Sequence, residues 1–203
     1  MQFTNLVRQE PGWQTVSVET HFADRHLSVA TERVKTPSRP DPKPWTIVHR
    51  KAAVVIAPMT SDSELLLIKQ ERVPIRATIW EMPAGQIDEN AEPDEKQIEA
   101  VALRELHEET GYDLAPGGEI IPLGHFFSSP GFTDEHCYFF LARFVQPAAI
   151  HEREEDEGIL ECRPFRIEEV VRMIAENEIR DGNTLSMCAR MAARGFLSLR
   201  SRS

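Results

Sequence analysis

The chain has 203 residues, of which 41% are hydrophobic and 28% charged, enough for one domain with an appendage and a substantial buried core. A formal net charge of −10 speaks against nucleic acid as a partner, because such binding draws on clustered basic residues. No apolar run approaches the ~18 residues that span a bilayer, and the polar N-terminal residues lack a signal peptide's apolar stretch. The expectation is a cytoplasmic protein without a membrane partner, with Cys137, Cys162 and Cys188 as free thiols lacking any Cys-x-x-Cys spacing.

In chain order, residues 1–46 predict a small β unit with strands at Thr15–Thr20 and His26–Val34. It closes on a proline-rich link, Thr36-Pro-Ser-Arg-Pro-Asp-Pro-Lys-Pro44. Such a unit is too small to bury a core of its own and should pack on the main domain or on a second subunit. Residues 47–203 predict the main domain. Strands are expected at Thr46–Ile56 and Glu64–Gln70, with an extended segment around Ala77–Met82. A helix follows at Asp94–Thr110, then strands at Gly118–Phe127, His136–Val145 and Ile159–Pro164, and helices at Ile167–Asn177 and Thr184–Leu197. Strands and helices in this mixed order indicate an α+β sandwich in place of a βαβ-wound sheet.

The helix at Asp94–Thr110 departs from ordinary amphipathic design. Ile98, Val101, Ala102 and Leu106 form an apolar stripe at spacings of three and four. Glu105, Glu108 and Glu109 fall on the same stripe at about 100° per residue, crowded into the last turn before Gly111. The helix dipole disfavours negative charge there, and carboxylates three or four residues apart repel. Arg104 alone cannot neutralise three of them. A hard divalent cation bound through oxygen would; the bland alternative is a solvated glutamate cluster.

Arg104-Glu-Leu-His-Glu-Glu-Thr-Gly-Tyr112 resembles the second half of the Nudix box, Arg-Glu-(aliphatic)-x-Glu-Glu-x-Gly-(aliphatic or aromatic). The first half departs from that pattern. Gly85 stands in Glu81-Met-Pro-Ala-Gly-Gln-Ile-Asp88, similar to the Pro-Ala-Gly turn of the superfamily's ADP-ribose pyrophosphatases. The family spacing sets 13 residues between this Gly and the Arg, whereas Gln86 to Leu103 is 18. Lys96 therefore occupies the position of the first box Glu, which Glu92 or Glu95 would replace after an insertion in Asp88–Asp94. Further islands of resemblance are Gln70-Glu-Arg72, Ser128-Ser-Pro-Gly-Phe-Thr-Asp-Glu135 and Asp181-Gly-Asn-Thr184.

The resemblance implies a Nudix-type α/β/α sandwich with a mixed sheet, beside the small N-terminal β unit. It implies Mg²⁺ or Mn²⁺ held by Glu105, Glu108 and Glu109 with the backbone carbonyl of Ala84, Arg104 orienting the carboxylates, and Arg72 and Gly131 contacting substrate. Divalent ions would bridge the phosphate oxygens and activate water. Carboxylates on metal are poor proton acceptors, so the base is sought in His151-Glu-Arg-Glu-Glu-Asp-Glu157. Alignment on Ile159-Leu160 assigns Glu155 as base and Glu157 as a further ligand, with Glu154 as the alternative base. Aromatic residues of the N-terminal region stack on adenine in the resembling dimers, which puts Trp13 and Trp45 forward as substrate contacts; a buried Trp is the plain alternative.

Three functions compete. The leading one is metal-dependent hydrolysis of the diphosphate bond in ADP-ribose or a related nucleoside diphosphate sugar, by a homodimer. The others are hydrolysis of another nucleotide, such as a dinucleotide or an oxidised nucleotide, and a non-catalytic Nudix-fold sensor that binds ADP-ribose.

Overall fold

A computed structural model describes residues 7, 10–87, 94–150 and 158–199. The N-terminal strands β1 (Gln14–Ala23), β2 (Leu27–Thr36) and β3 (Arg39–Arg50) form an antiparallel three-stranded sheet in that order. The main domain is a seven-stranded mixed sheet. Its strands are β4 (Ala53–Thr60), β5 (Glu64–Arg72), β6 (Ala77–Glu81), β7 (Ala84–Gln86), β8 (Tyr112–Phe127), β9 (His136–Pro147) and β10 (Ile159–Arg166). The order is β10-β5-β4-β9-β8, with β6 added to β5 and β7 to β4. β4 and β9 run parallel; the other pairs are antiparallel.

Helices cover both faces of this sheet, giving the expected α/β/α sandwich. Because side chains alternate across a strand, β4, β5 and β9 each serve two cores. Val54, Ile56, Leu66, Tyr138 and Phe140 pack against Ile98, Ala102 and Leu106 of α1 (Glu95–Thr110). Val55, Ala57, Leu65, Leu67, Phe139 and Leu141 pack against Val170 and Met173 of α2 (Ile167–Ala175) and Met187, Cys188 and Met191 of α3 (Gly182–Ala193). No helix among the described residues is long and apolar enough to cross a membrane. Cys137, Cys162 and Cys188 are all free.

Two expectations are corrected. Thr46–Ile56 is not one strand: β3 ends at Arg50 in the small sheet, and β4 begins at Ala53 in the large one. The break coincides with a change from a half-buried run, Ile47–His49, to a continuously buried one, Val54–Met59. Nor is the proline-rich segment a link. Thr36 ends β2, Pro37 and Ser38 make the turn, and Arg39 to Pro44 is the first half of β3, with Arg33 opposite Pro44 and Val34 opposite Lys43. Pro40, Pro42 and Pro44 occupy alternate positions, so their missing N–H groups all lie on one side of an edge strand, where no ladder bond is lost. The guanidinium of Arg33 donates to the Pro42 carbonyl at 3.1 Å, fastening this edge.

Candidate active site

Helix α1 is set by its ends. Asp94 caps it through a reciprocal box: its carboxylate accepts the Gln97 N–H at 2.9 Å, and the Gln97 side chain accepts the Asp94 N–H at 2.8 Å. Gly111, at φ 72°, closes it in the left-handed conformation. Between these caps, Glu105 and Glu109 lie buried on the core-facing stripe with Ile98, Ala102 and Leu106. Glu108 sits at the margin, its side chain 29% exposed. His107 turns off the stripe and pairs with Asp113.

The segment Met82–Gly85 is pressed onto these carboxylates. The Ala84 N–H donates to Glu109 Oε2 at 2.8 Å. Gly85 approaches so closely that a Cβ there would lie 1.9 Å from Glu105 Cδ, so only glycine fits. Two anchors hold the segment from behind. The Ile56 N–H donates to the Pro83 carbonyl at 2.9 Å, and the Met82 N–H donates to Thr184 Oγ1 at 2.8 Å. The Thr184 hydroxyl in turn donates to Asp181 Oδ2. The Asp181-Gly-Asn-Thr184 signal in the sequence is thus both the N-cap of α3 and a brace for the Pro-Ala-Gly turn.

Arg104 spans two of the three glutamates, donating from Nη2 to Glu105 Oε1 and from Nη1 to Glu108 Oε2, each at 2.6 Å. Among the described residues, no three His, Cys, Asp or Glu side chains converge into a ready cage for an ion. The donor chemistry nevertheless suits a hard cation: buried carboxylate oxygens beside a backbone turn from which any side chain is excluded. Glu95, one possible substitute for the first box Glu, opens α1 ten residues before Glu105, about 15 Å away along the axis. Glu92, Glu154, Glu155 and Glu157 lie outside the described residues.

Arg72 ends β5 beside an open recess of about 370 Å³, also lined by Glu71, Arg76 and Thr78 and containing none of the α1 glutamates. Its partner, which sequence reasoning missed, is Glu81. Arg72 Nε donates to Glu81 Oε2 at 3.1 Å, and Nη2 lies 2.6 Å from Oε1, though that second oxygen has no well-aligned hydrogen bond. Burial pushes the Glu81 carboxyl up to about 7, with Arg72 opposing the shift. No local sequence pattern signalled this pair, since the β5–β6 register sets Arg72 opposite Ala77 and Glu81 opposite Ile68.

The remaining candidates lie toward the small sheet. Trp13 and Trp45 are exposed, Trp45 with the Arg39 guanidinium 5.9 Å from its ring. Gly131 lies in the loop between β8 and β9, with open space where a Cβ would stand. That loop meets the end of β3, where the Val48 N–H donates to the Phe132 carbonyl at 2.8 Å.

Comparison with known proteins agrees with this arrangement. The NUDIX domain matches residues 48–187. Over 171 residues the chain is 29% identical to an ADP-ribose pyrophosphatase of Bacillus subtilis (strain 168), covering 84% of this chain and 88% of that protein. It is 27% identical over 172 residues to a methanol dehydrogenase activator of Bacillus methanolicus, covering 85% and 88% respectively. A solved structure described as an ADP compounds hydrolase superposes with a TM-score of 0.72 at 17% identity, covering 94% of this chain and 100% of that one, which speaks to fold alone. With the family match spanning most of the chain and the box glutamates gathered under the Pro-Ala-Gly turn, the chain belongs to the NUDIX domain family.

Proposed function

We propose that this protein hydrolyses the diphosphate bond of ADP-ribose or a related nucleoside diphosphate sugar, releasing a nucleoside monophosphate and a sugar phosphate. The observation that carries this reading is the clasp of Ala84 and Gly85 on Glu109 and Glu105, which concentrates buried negative charge at one backbone turn. Glu105, Glu108, Glu109 and the Ala84 carbonyl would hold Mg²⁺ or Mn²⁺, with Glu157 as a further ligand. Such an ion would supply charge neutralisation at the diphosphate and lower the pKa of a bound water. Arg104 orients Glu105 and Glu108 through its two guanidinium contacts. Arg72, fixed by buried Glu81, presents its outer edge to the phosphates, and Glu155, or Glu154 in its place, takes the proton from the attacking water. The test is a hydrolysis panel of ADP-ribose, GDP-mannose, UDP-glucose and a dinucleotide, with Mg²⁺ and with Mn²⁺. Turnover of a nucleoside diphosphate sugar well above the dinucleotide is expected. Tight ADP-ribose binding without turnover would turn the reading into a sensor.

The same proposal includes a homodimer. Val16, Val18 and Phe22 are exposed on β1, a strand that pairs only with β2 among the described residues. An open edge carrying exposed apolar side chains calls for a cover, and a two-fold contact between copies is the commonest one. Trp13 and Trp45, exposed on this unit, are the candidates for stacking on the base of the substrate. A cytoplasmic location fits a protein with three free thiols.

A further inference from the structure

A polar cluster between the two sheets has no part in the reading above. His49, near the end of β3, lies between two carboxylates from different elements: its Nδ1 is 2.7 Å from Asp134 Oδ2 and its Nε2 is 3.2 Å from Glu32 Oε1 of β2. Asp134 belongs to the Ser128–Glu135 loop, and its other oxygen accepts the Arg50 N–H at 2.9 Å. The Arg50 guanidinium reaches Glu135 Oε1 at 2.7 Å, and the Ser128 hydroxyl donates to Glu135 Oε2 at 2.6 Å. Together with the Val48–Phe132 backbone bond, these contacts fasten one face of the loop to the three-stranded sheet. The His49, Glu32 and Asp134 side chains are 34%, 15% and 25% exposed, so these contacts are partly sheltered from water and stronger than ordinary surface pairs.

The loop's location gives the clamp its meaning. At the start of β4, Ala53 pairs with Gln86 of β7 on one side and with Cys137 of β9 on the other. The Pro-Ala-Gly turn and the Ser128–Glu135 loop therefore stand at the same end of the sheet, two strand spacings or about 10 Å apart. That is the reach of a sugar attached to a diphosphate. We propose that His49 is a positioning residue: by bridging Glu32 and Asp134 it holds the Ser128–Glu135 loop against the small sheet, where a group attached to the substrate's diphosphate rests while the diphosphate itself lies at the glutamates. The inference rests on the proposed hydrolase function for its substrate and on the contacts themselves for its mechanics.

The test pairs kinetics with hydrogen exchange. His49→Ala should raise amide exchange in residues 128–135 by tenfold or more and raise KM for the best substrate of the panel about tenfold, with kcat within threefold. His49→Gln, which keeps an amide in place of one ring nitrogen, should recover part of the KM. Glu32→Ala breaks the sheet-side contact, together with the bond that Glu32 Oε2 accepts from the Thr15 hydroxyl at 3.2 Å, and should move both readouts less in the same direction, which keeps the test decisive if His49→Ala folds poorly. Unchanged loop exchange in both alanine variants, or a fall in kcat at constant KM, would overturn the clamp. If the wild-type protein turns over nothing on the panel, the hydrolase reading fails, while loop exchange still decides whether His49 holds the loop.

Discussion

In the large sheet, β4, β5 and β9 bury side chains completely on both faces, whereas among the described residues of the small sheet only Ala30 is buried. Each core side chain such as Phe139, Leu67 or Ile56 contributes about 1.5–3 kcal/mol on leaving water, and the sandwich has dozens of such groups at its disposal. Strand β1 has no comparable source of stability. It is held by pairing with β2, by the bond from the Thr15 hydroxyl to Glu32 and, on our proposal, by a second copy. The division of labour follows: the sandwich is stable enough to carry buried carboxylates and a close approach at Gly85, while the small sheet leaves Trp13 and Trp45 exposed, on our proposal for recognition.

The contrast can be broken first at the glutamates. Glu109→Gln should lower turnover on the order of a hundredfold or more with the fold intact, because it removes a principal electrostatic element from a buried site; near-normal activity with metal present would remove Glu109 from the chemistry. Gly85→Ala comes next. Its methyl cannot coexist with Glu105 in place, so kcat should fall by about tenfold or more and stability by roughly 1–3 kcal/mol, readable together by kinetics and thermal unfolding.

On the small sheet the expected effects are in binding. Trp45→Ala should raise KM by about fivefold to a hundredfold with little change in kcat, since stacking worth about 1–3 kcal/mol serves ground and transition states alike. Val18→Lys combined with Phe22→Lys should yield a monomer by light scattering and raise KM in the same way; a dimer surviving this change would place the interface elsewhere.

Glu81 provides the smallest and most conditional effect. An acid whose carboxyl sits near 7 when folded, against 4.5 ordinarily, binds more protons folded than unfolded between those values. Stability should therefore decline as pH rises from about 4.5 to about 7, by on the order of 2–3 kcal/mol for this group. Glu81→Gln should flatten that decline in urea-unfolding curves. An unchanged pH profile would show that Arg72 satisfies the ionised carboxylate fully.

Local pattern carried the central helix and the core-facing position of its glutamates. Charges on an apolar stripe and a glycine at its end are contiguous, so the placement of Glu105, Glu109 and Gly111 followed from spacings of three and four alone, whereas the capping box at Asp94 did not. The same holds for the core strands expected at Glu64–Gln70 and His136–Val145, which are β5 and β9. Hydrophobic periodicity could not divide β3 from β4, because both are extended and apolar and differ in which sheet they join. Proline count suggested a link, where an edge strand tolerates proline at every second position.

Contacts between distant segments belonged to the tertiary structure alone. Ala84 meets Glu109 across 25 positions, Met82 meets Thr184 across 102, and His49 meets Asp134 across 85. Sequence by itself determined which residue types this protein brings to its chemistry and the helix that aligns them, because those depend on neighbours three and four positions away. The close packing of the turn on the glutamates, the burial that raises Glu81 and the clamp on the Ser128–Glu135 loop were decided only by folding, since each is a balance of desolvation and hydrogen bonding among groups that only the completed sheets bring together.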